Sequence, residues 1–248
     1  LATVADVVPL TGVNRALVRQ GLAVMARRQN LGIAALADVS RLDQMPEAWH
    51  LGFMLGPRVN AGGRVGEAGL GVKLLTTTDV DEAAGIATRL DQYNSERREI
   101  EAAVLEAAMA QAEQQAEADA PLIVAASEGW HPGVIGIVAG RIKEAFNRPA
   151  CVVSFGNGVG KGSGRSVRGV GLGPAVIAAH QAGHLLNGGG HAMAAGFTVA
   201  EERLIDFRRF LTEHIENKLE GTALSPDIGI DGALSPEGAT VAFIESLN

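Results

Sequence analysis

Three consecutive glycines deliver a histidine into a run of small residues in the stretch Asn187-Gly188-Gly189-Gly190-His191-Ala192-Met193-Ala194-Ala195-Gly196. Glycine tolerates positive φ and leaves its backbone N–H bare, so a Gly188-Gly189-Gly190-His191 turn can cradle an anion while the imidazole adds a hydrogen bond or a charge. Phosphate is the anion this chemistry suits. The same glycines would also serve a tight turn beside a closely packed strand, with His191 an ordinary hydrogen-bonded histidine, and the motif alone does not choose. A second segment, Gly160-Lys161-Gly162-Ser163-Gly164-Arg165-Ser166, again sets a guanidinium and two hydroxyls among glycines. Along a strand, two of Ser163, Arg165 and Ser166 share a face, where Arg165 can fork onto phosphate and a hydroxyl can donate or accept. His191 would complete such a phosphate site from a facing loop and could help to orient a leaving group.

Arg58, Asn60 and Arg64 are spaced across Gly56-Pro57-Arg58-Val59-Asn60-Ala61-Gly62-Gly63-Arg64, which reads as a glycine-rich turn. There the guanidinium groups can fork onto successive phosphates and the amide can touch a sugar or base; solvated arginines on an exposed turn are the plain alternative. Asp6 ends the apolar run Thr3-Val4-Ala5, and a lone carboxylate there needs a metal, a cation or a helix N-terminus as partner. Trp130, His131 and Pro132 fit a capping turn with a packed indole better than a base-stacking platform. His180 and His184 stand four apart on an expected helix but lack the glutamate of a metalloprotease.

The elements that must position these residues follow from periodicity. Leu17, Val18, Leu22 and Met25 predict a helix over 14–29, packed on a strand end at 4–10, with short helices at 34–41 and 46–55. Asp79 with Glu82 three residues on marks a helix start, and Ala83, Ala87, Leu90, Ile100, Val104 and Ala108 carry an apolar stripe to 118. A helix of that length suits a connector between two lobes better than a folded-back hairpin. Beyond Pro121 the pattern is α/β: strands at 122–126, 150–155, 160–166 and 192–199, helices at 133–146, 173–186 and 204–218. One direct strand-to-strand step, through Gly156-Asn157-Gly158, predicts a hairpin and hence a mixed sheet.

Gly162-Ser163-Gly164-Arg165-Ser166 and Gly188-Gly189-Gly190-His191-Ala192-Met193-Ala194-Ala195-Gly196 resemble the two signature segments of the associated domain in the DHH phosphoesterases, in the branch of RecJ-type single-strand exonucleases. Leu1 to Leu10 with Asn14 and Arg15 is similar to the last metal-binding motif of that family's catalytic domain. Gly56 to Val65 is similar to the next motif, Leu90 to Glu101 to the start of its connecting helix, and Trp130 to Arg141 to the opening of the associated domain. The resemblance implies the C-terminal part of a DHH catalytic lobe over 1–78, a connecting helix over 79–118, a mixed-sheet α/β DHH-associated domain over 119–222, and the start of an OB-type domain over 223–248. It further implies metal-dependent 5′-to-3′ hydrolysis of single-stranded DNA in recombination and repair. A two-metal centre with Mn²⁺ or Mg²⁺ would do this chemistry, with Asp6 as the one ligand present and the remaining aspartates and Asp-His-His triplet missing, so the chain is expected to be an internal, inactive fragment. Single-strand-binding protein and a helicase are the implied protein partners. A DHH phosphoesterase of oligoribonucleotides or cyclic dinucleotides, and a noncatalytic replication-associated DNA-binding relative, are the rival readings.

Composition bounds this picture. The 248 residues are 47% hydrophobic, enough for sizeable cores. No run approaches a bilayer span, and the single cysteine, Cys151, sits in the apolar stretch Ala150-Cys151-Val152-Val153, so a buried thiol in the cytoplasm is expected. The formal charge of −7 argues against a uniformly basic DNA binder. The acids gather in 80–118 and 201–220 while Arg58, Arg64, Lys161, Arg165, Arg168 and His191 lie among glycines, which suits a basic cleft on an acidic body.

Overall fold

The computed structural model describes residues 1–219 and 229–246. The first seventy-odd residues are helical: α1 (Ala2–Ala5), α2 (Gly12–Met25), α3 (Leu31–Val39), a π-helical turn (His50–Leu55), α4 (Gly56–Val65) and α5 (Leu70–Thr76). Two expectations are corrected here. The strand end at 4–10 does not form: residues 2–5 are helical, and among the described residues of this lobe there is no strand for it to pair with, so its backbone groups close locally instead. The glycine-rich turn is helix α4, whose Pro57 pre-sets the first turn. Gly62 lets α4 pack closely, since a side chain there would press on the Glu67 carbonyl and on Leu90.

Helix α6 (Val80–Glu117) is continuous, and the Asp79 side chain accepts from the Glu82 N–H at 2.8 Å as its N-cap. Its first half gives Ala83, Ile86, Ala87 and Leu90 to the core of the helical lobe; its second half gives Val104, Ala108 and Ala112 to the core of the sheet lobe. One helix therefore belongs to two cores, and it docks on the sheet by an unusual edge. The Gln115 amide accepts from the Val124 N–H and donates to the Val124 carbonyl, both at 2.9 Å, and Gln111 repeats this on Ala126 at 3.0 and 3.1 Å. Residues four apart on a helix thus meet residues two apart on a strand, and their amides do for the edge what a neighbouring strand would.

That strand is β1 (Ile123–Glu128), the edge of a five-stranded sheet ordered β1-β2-β3-β5-β4, with β2 (Ala150–Gly156), β3 (Val159–Arg165), β4 (Asn187–His191) and β5 (Ala194–Ala200). Strands β1 and β2 are parallel, joined through α7 (Ile135–Phe146); the other pairs are antiparallel, so the sheet is mixed as expected. Asn157 and Gly158, both at positive φ, make the β2–β3 hairpin turn. The glycine triplet is not a turn but the edge strand β4, because its N–H and C=O groups pair with β5; the turn falls one step later, at Ala192-Met193. The helix expected over 173–186 is α8 (Leu172–Gln181), so His184 lies beyond its end.

The two faces of the sheet are covered unequally. Helix α8 and helix α9 (Leu204–Leu219) cover one face with Leu172, Val176, Phe207, Leu211 and Ile215 against Cys151, Val153, Phe197 and Val199. On the other face, α6 and α7 cover Ile123, Ala125, Ala150 and Val152 of β1 and β2, and α7 also packs along β3, with Gly136 against Ser163 and Arg165. The β5-β4 part of that face, and the part of β3 beside it, are left open. Of the expected OB-type start, residues 223–228, 247 and 248 lie outside the described residues. The rest, 229–246, holds a 3₁₀ turn (Pro236–Gly238) and α10 (Val241–Ser246), with no strand among the described residues.

Candidate nucleic-acid interface

The open face is the floor of a cleft of about 610 Å³ whose walls are the start of α7 and, from the helical lobe, Arg64. Parity along β3 decides what reaches it. Gly160, Gly162 and Gly164 face the covered side, where a Cβ would press on Val153 and Phe155 at 2.6 Å, overlap the Phe197 ring, and meet Leu172 at 2.6 Å, respectively. These glycines make room for core side chains rather than for phosphate. Lys161, Ser163 and Arg165 consequently take the opposite face and line the cleft. The register continues this pattern across the sheet: Lys161 pairs with Thr198 and Thr198 with Asn187, while Ser163 pairs with Gly196 and Gly196 with Gly189.

Arg165 is held close to the sheet. Its Nη1 donates to Ser163 Oγ at 3.1 Å and to the Gly164 carbonyl at 2.9 Å, and Gly136 of α7 leaves the space its guanidinium occupies. Arg64 reaches across from α4, with Nη1 donating to the Gly133 carbonyl at 3.2 Å. Loss of water lowers the pKa of both guanidinium groups; for Arg64, Arg97 pushes the same way, Glu101 opposes, and Arg165 adds a smaller lowering. Arg97, on α6, is half-buried behind this wall, paired with Glu101 and donating to Asn94 Oδ1 at 2.8 Å. Neighbouring cations are stabilised by a bound anion. Arg64, Lys161 and Arg165 line the cleft and no carboxylate does, on a chain of net charge −7.

Not every residue singled out by sequence arrives here. Ser166 turns away: it is buried and its hydroxyl donates to the Val170 carbonyl at 2.7 Å, where it shapes the loop before α8. Arg58 gives Nε to Asp91 and Nη1 to the Met54 carbonyl, each at 2.7 Å, and so ties α4 to α6. Asn60 is exposed on α4, away from the cleft lining. His191 is exposed at the end of β4, in the same cross-strand row as Ala194 and Arg165; it stands at the rim, two strands or roughly 10 Å from Arg165. Gly188 and Gly189 line the cleft, whereas Gly190 packs its α-carbon against Ala194 and Ala195. His131 Nδ1 accepts from the Gly133 N–H at 3.0 Å, and Trp130 packs on the sheet-lobe core, which is a capping turn. Lys161 was expected in a basic cleft but not as part of the phosphate site, and Thr198, Asn187 and the α7 start were not singled out. Lys161 was legible by its parity with Ser163 and Arg165, but Thr198 and Asn187 needed the register.

Asp6 is exposed just after α1, and among the described residues no group of three or more His, Cys, Asp and Glu side chains could hold a metal ion. The described residues do not form a metal centre.

A family model described as the DHHA1 domain matches residues 119–217, the segment that contains the whole sheet. The single-stranded-DNA-specific exonuclease RecJ of Dickeya dadantii is 41% identical over 257 aligned positions, which take in 100% of this chain and 44% of that protein. This chain belongs to the RecJ family. Crystal structures of Thermus thermophilus RecJ in complex with Mg²⁺ and with Mn²⁺ each superpose with a TM-score of 0.78, at 36% and 35% identity, over 87% and 94% of this chain and 33% of theirs. The chain thus spans less than half the length of these RecJ proteins, and its cleft lies between the DHHA1 domain and the wall that Arg64 supplies. No helix among the described residues is long and apolar enough to cross a membrane.

Proposed function

We propose that this chain is the DNA-gripping portion of a 5′-to-3′ single-stranded-DNA exonuclease, with the cleft as its track for the strand. The observation that carries this reading is the charge pattern: three cations, with hydroxyl and amide groups between them and, among the described residues, no carboxylate in the lining. Phosphodiesters are the ligands such a surface takes up, by charge-assisted hydrogen bonds and by release of condensed counterions. Arg64 and Arg165 fork onto phosphate, Lys161 supplies a mobile point charge, Ser163, Thr198 and Asn187 serve sugar or phosphate oxygens, and His191 meets the strand at the rim. Arg58 ties α4 to α6 behind the Arg64 wall, Ser166 shapes the loop before α8, and Asn60 has no part in the site. In this reading Asp6 is a single carboxylate of a divalent-metal centre, Mn²⁺ or Mg²⁺, that would carry hydrolysis. Recombination and repair in the cytoplasm, alongside single-strand-binding protein and a helicase, is the setting this activity fits.

The test is fluorescence anisotropy with 5′-phosphorylated oligonucleotides. Single-stranded DNA should bind more tightly than duplex and outcompete short oligoribonucleotides and cyclic dinucleotides. Preference for either of the latter would move the substrate to that class, and equal affinity for duplex would contradict the reading.

A further inference from the structure

The buried face of α6 runs through Ala83, Ala87 and Leu90 in the helical-lobe core and through Val104, Ala108 and Ala112 in the sheet-lobe core. Between them the same spacing of three and four falls on Asn94, Arg97 and Glu101, so three successive positions of a core-facing stripe are polar where the helix passes from one lobe to the other. The side chains of Arg97 and Glu101 are only 13% and 14% exposed, and Asn94 is buried. A charged pair this deep contributes little to stability, because loss of water offsets most of its attraction, so stability alone does not account for it. Arg97 pairs with Glu101 and gives Nη2 to Asn94 Oδ1 at 2.8 Å, while its Nε–H is buried and meets no acceptor among the described residues.

Helix α6 presents two carboxylates to two arginines of α4. Asp91 takes Arg58, at 2.7 Å. Glu101 is near enough to raise the Arg64 pKa, and the charge of Arg97 lowers it by more. Arg64 nevertheless has no carboxylate partner among the described residues; its guanidinium donates to the Gly133 carbonyl and lines the cleft, which Arg97 does not. We infer that Arg97 is a positioning residue for the cleft: by holding the Glu101 carboxylate it keeps Arg64 free of an internal counter-ion, so that the Arg64 charge is available to a phosphate of the strand. The inference rests on the proposed function and extends it to a residue outside the cleft lining. Removal of Arg97 leaves a largely buried carboxylate without its counter-ion, and Arg64, already attracted by it, is the cation that moves in. A guanidinium paired in this way must break that pair before it can take up a phosphate, which weakens binding.

Arg97→Met tests this, since it keeps an unbranched stem and removes the charge. Single-stranded DNA affinity should fall by about tenfold, and the slope of log K against log salt should flatten by about 0.7, one phosphate's worth on a single strand. Arg64→Ala should give the same flattening. Arg97→Met/Glu101→Gln removes the freed carboxylate as well and should return affinity to within about twofold of wild type, with the wild-type slope. Arg97→Lys leaves a cation on Glu101 and should also keep that slope. A merely structural role predicts the opposite order, because the double variant alters two side chains rather than one. Wild-type affinity and slope in Arg97→Met, or a double variant no better than Arg97→Met, would overturn the inference while leaving the functional reading in place. The wild-type chain supplies a second readout that holds even where Arg97→Met does not fold. On titration with a 5′-phosphorylated single strand the Arg64 Nε–H resonance should move and that of Arg97 should stay. Equal movement of both would overturn the inference, because Arg97 would then leave Glu101 for the strand. A wild-type chain that binds no DNA would overturn the functional reading and this inference with it.

Discussion

Arg64 and Gly133 hold the two lobes together at the mouth of the cleft. The Nη1 of Arg64 donates to the Gly133 carbonyl at 3.2 Å, and the Arg64 carbonyl occupies the space a side chain on Gly133 would need. Closeness at this point fixes how far Arg64 stands from Arg165, and so fixes the width of the cleft. An open sheet edge offers many places for an anion; a wall set by backbone-to-backbone contact offers one.

Gly133→Ala should therefore act at a distance from any ligand. Overlap with a carbonyl costs about 1–3 kcal/mol of stability, and relief by parting the lobes moves Arg64 away from the sheet. Denaturant unfolding should show the destabilisation, and single-strand affinity should fall at least as far as in Arg64→Ala. Unchanged affinity in a destabilised variant would separate the lobe contact from the site.

Gln111 and Gln115 give a second prediction, about the helix that joins the lobes. Replacing both with leucine keeps the helix and its bulk but strands the N–H and C=O groups of Val124 and Ala126, at a cost of about 1–3 kcal/mol for each group left buried and unpaired. Amide hydrogen exchange at Val124 and Ala126 should speed up strongly in the double variant. Protection equal to wild type would mean that packing, not the amide ladder, seals the β1 edge.

Much of this architecture is readable before any coordinates. The Asp79 cap and the alanine stripe announce α6, and Asn157-Gly158 announces the β2–β3 hairpin, because those signals are local. The role of the β3 glycines is not local: Gly162 is small because the Phe197 ring from β5 passes over it, and nothing near Gly162 in sequence says so. For the same reason a glycine-histidine run that reads as a turn is an edge strand, since only β5 supplies the partner. Ser166 stands beside Arg165 in sequence, yet the two-residue period puts it with Gly164 on the covered side, where its hydroxyl donates to the Val170 carbonyl. Arg58 and Arg64 look alike in sequence; Asp91 on α6 claims one and leaves the other facing the cleft.

Cys151 gives a pH prediction. Burial in the sheet core pushes its thiol from 9.0 up to about 12. Between those values the unfolded chain releases a proton that the folded chain retains, so the folded state holds more protons and stability falls as pH rises from about 9 towards 12. Cys151→Ala should be less stable at pH 7, by about 1 kcal/mol for the lost packing, and should lose less stability than wild type between pH 9 and pH 11. The native thiol should also resist a disulfide reagent at pH 8.5 until the chain is unfolded. Parallel pH profiles for the two proteins, or prompt labelling of the native thiol, would refute the assignment.

The most direct measurement is an amide chemical-shift titration of the chain with a 5′-phosphorylated single-stranded oligonucleotide. The account predicts that the largest changes fall on Lys161, Ser163, Arg165, Asn187, Gly189, Gly196 and Thr198, with Gly133 and Gly136 beside them, while α8 and α9 on the covered face stay still. Changes concentrated on the helices of the covered face, or on the helical lobe away from Arg64, would contradict the claim that the open half of the sheet is the DNA track.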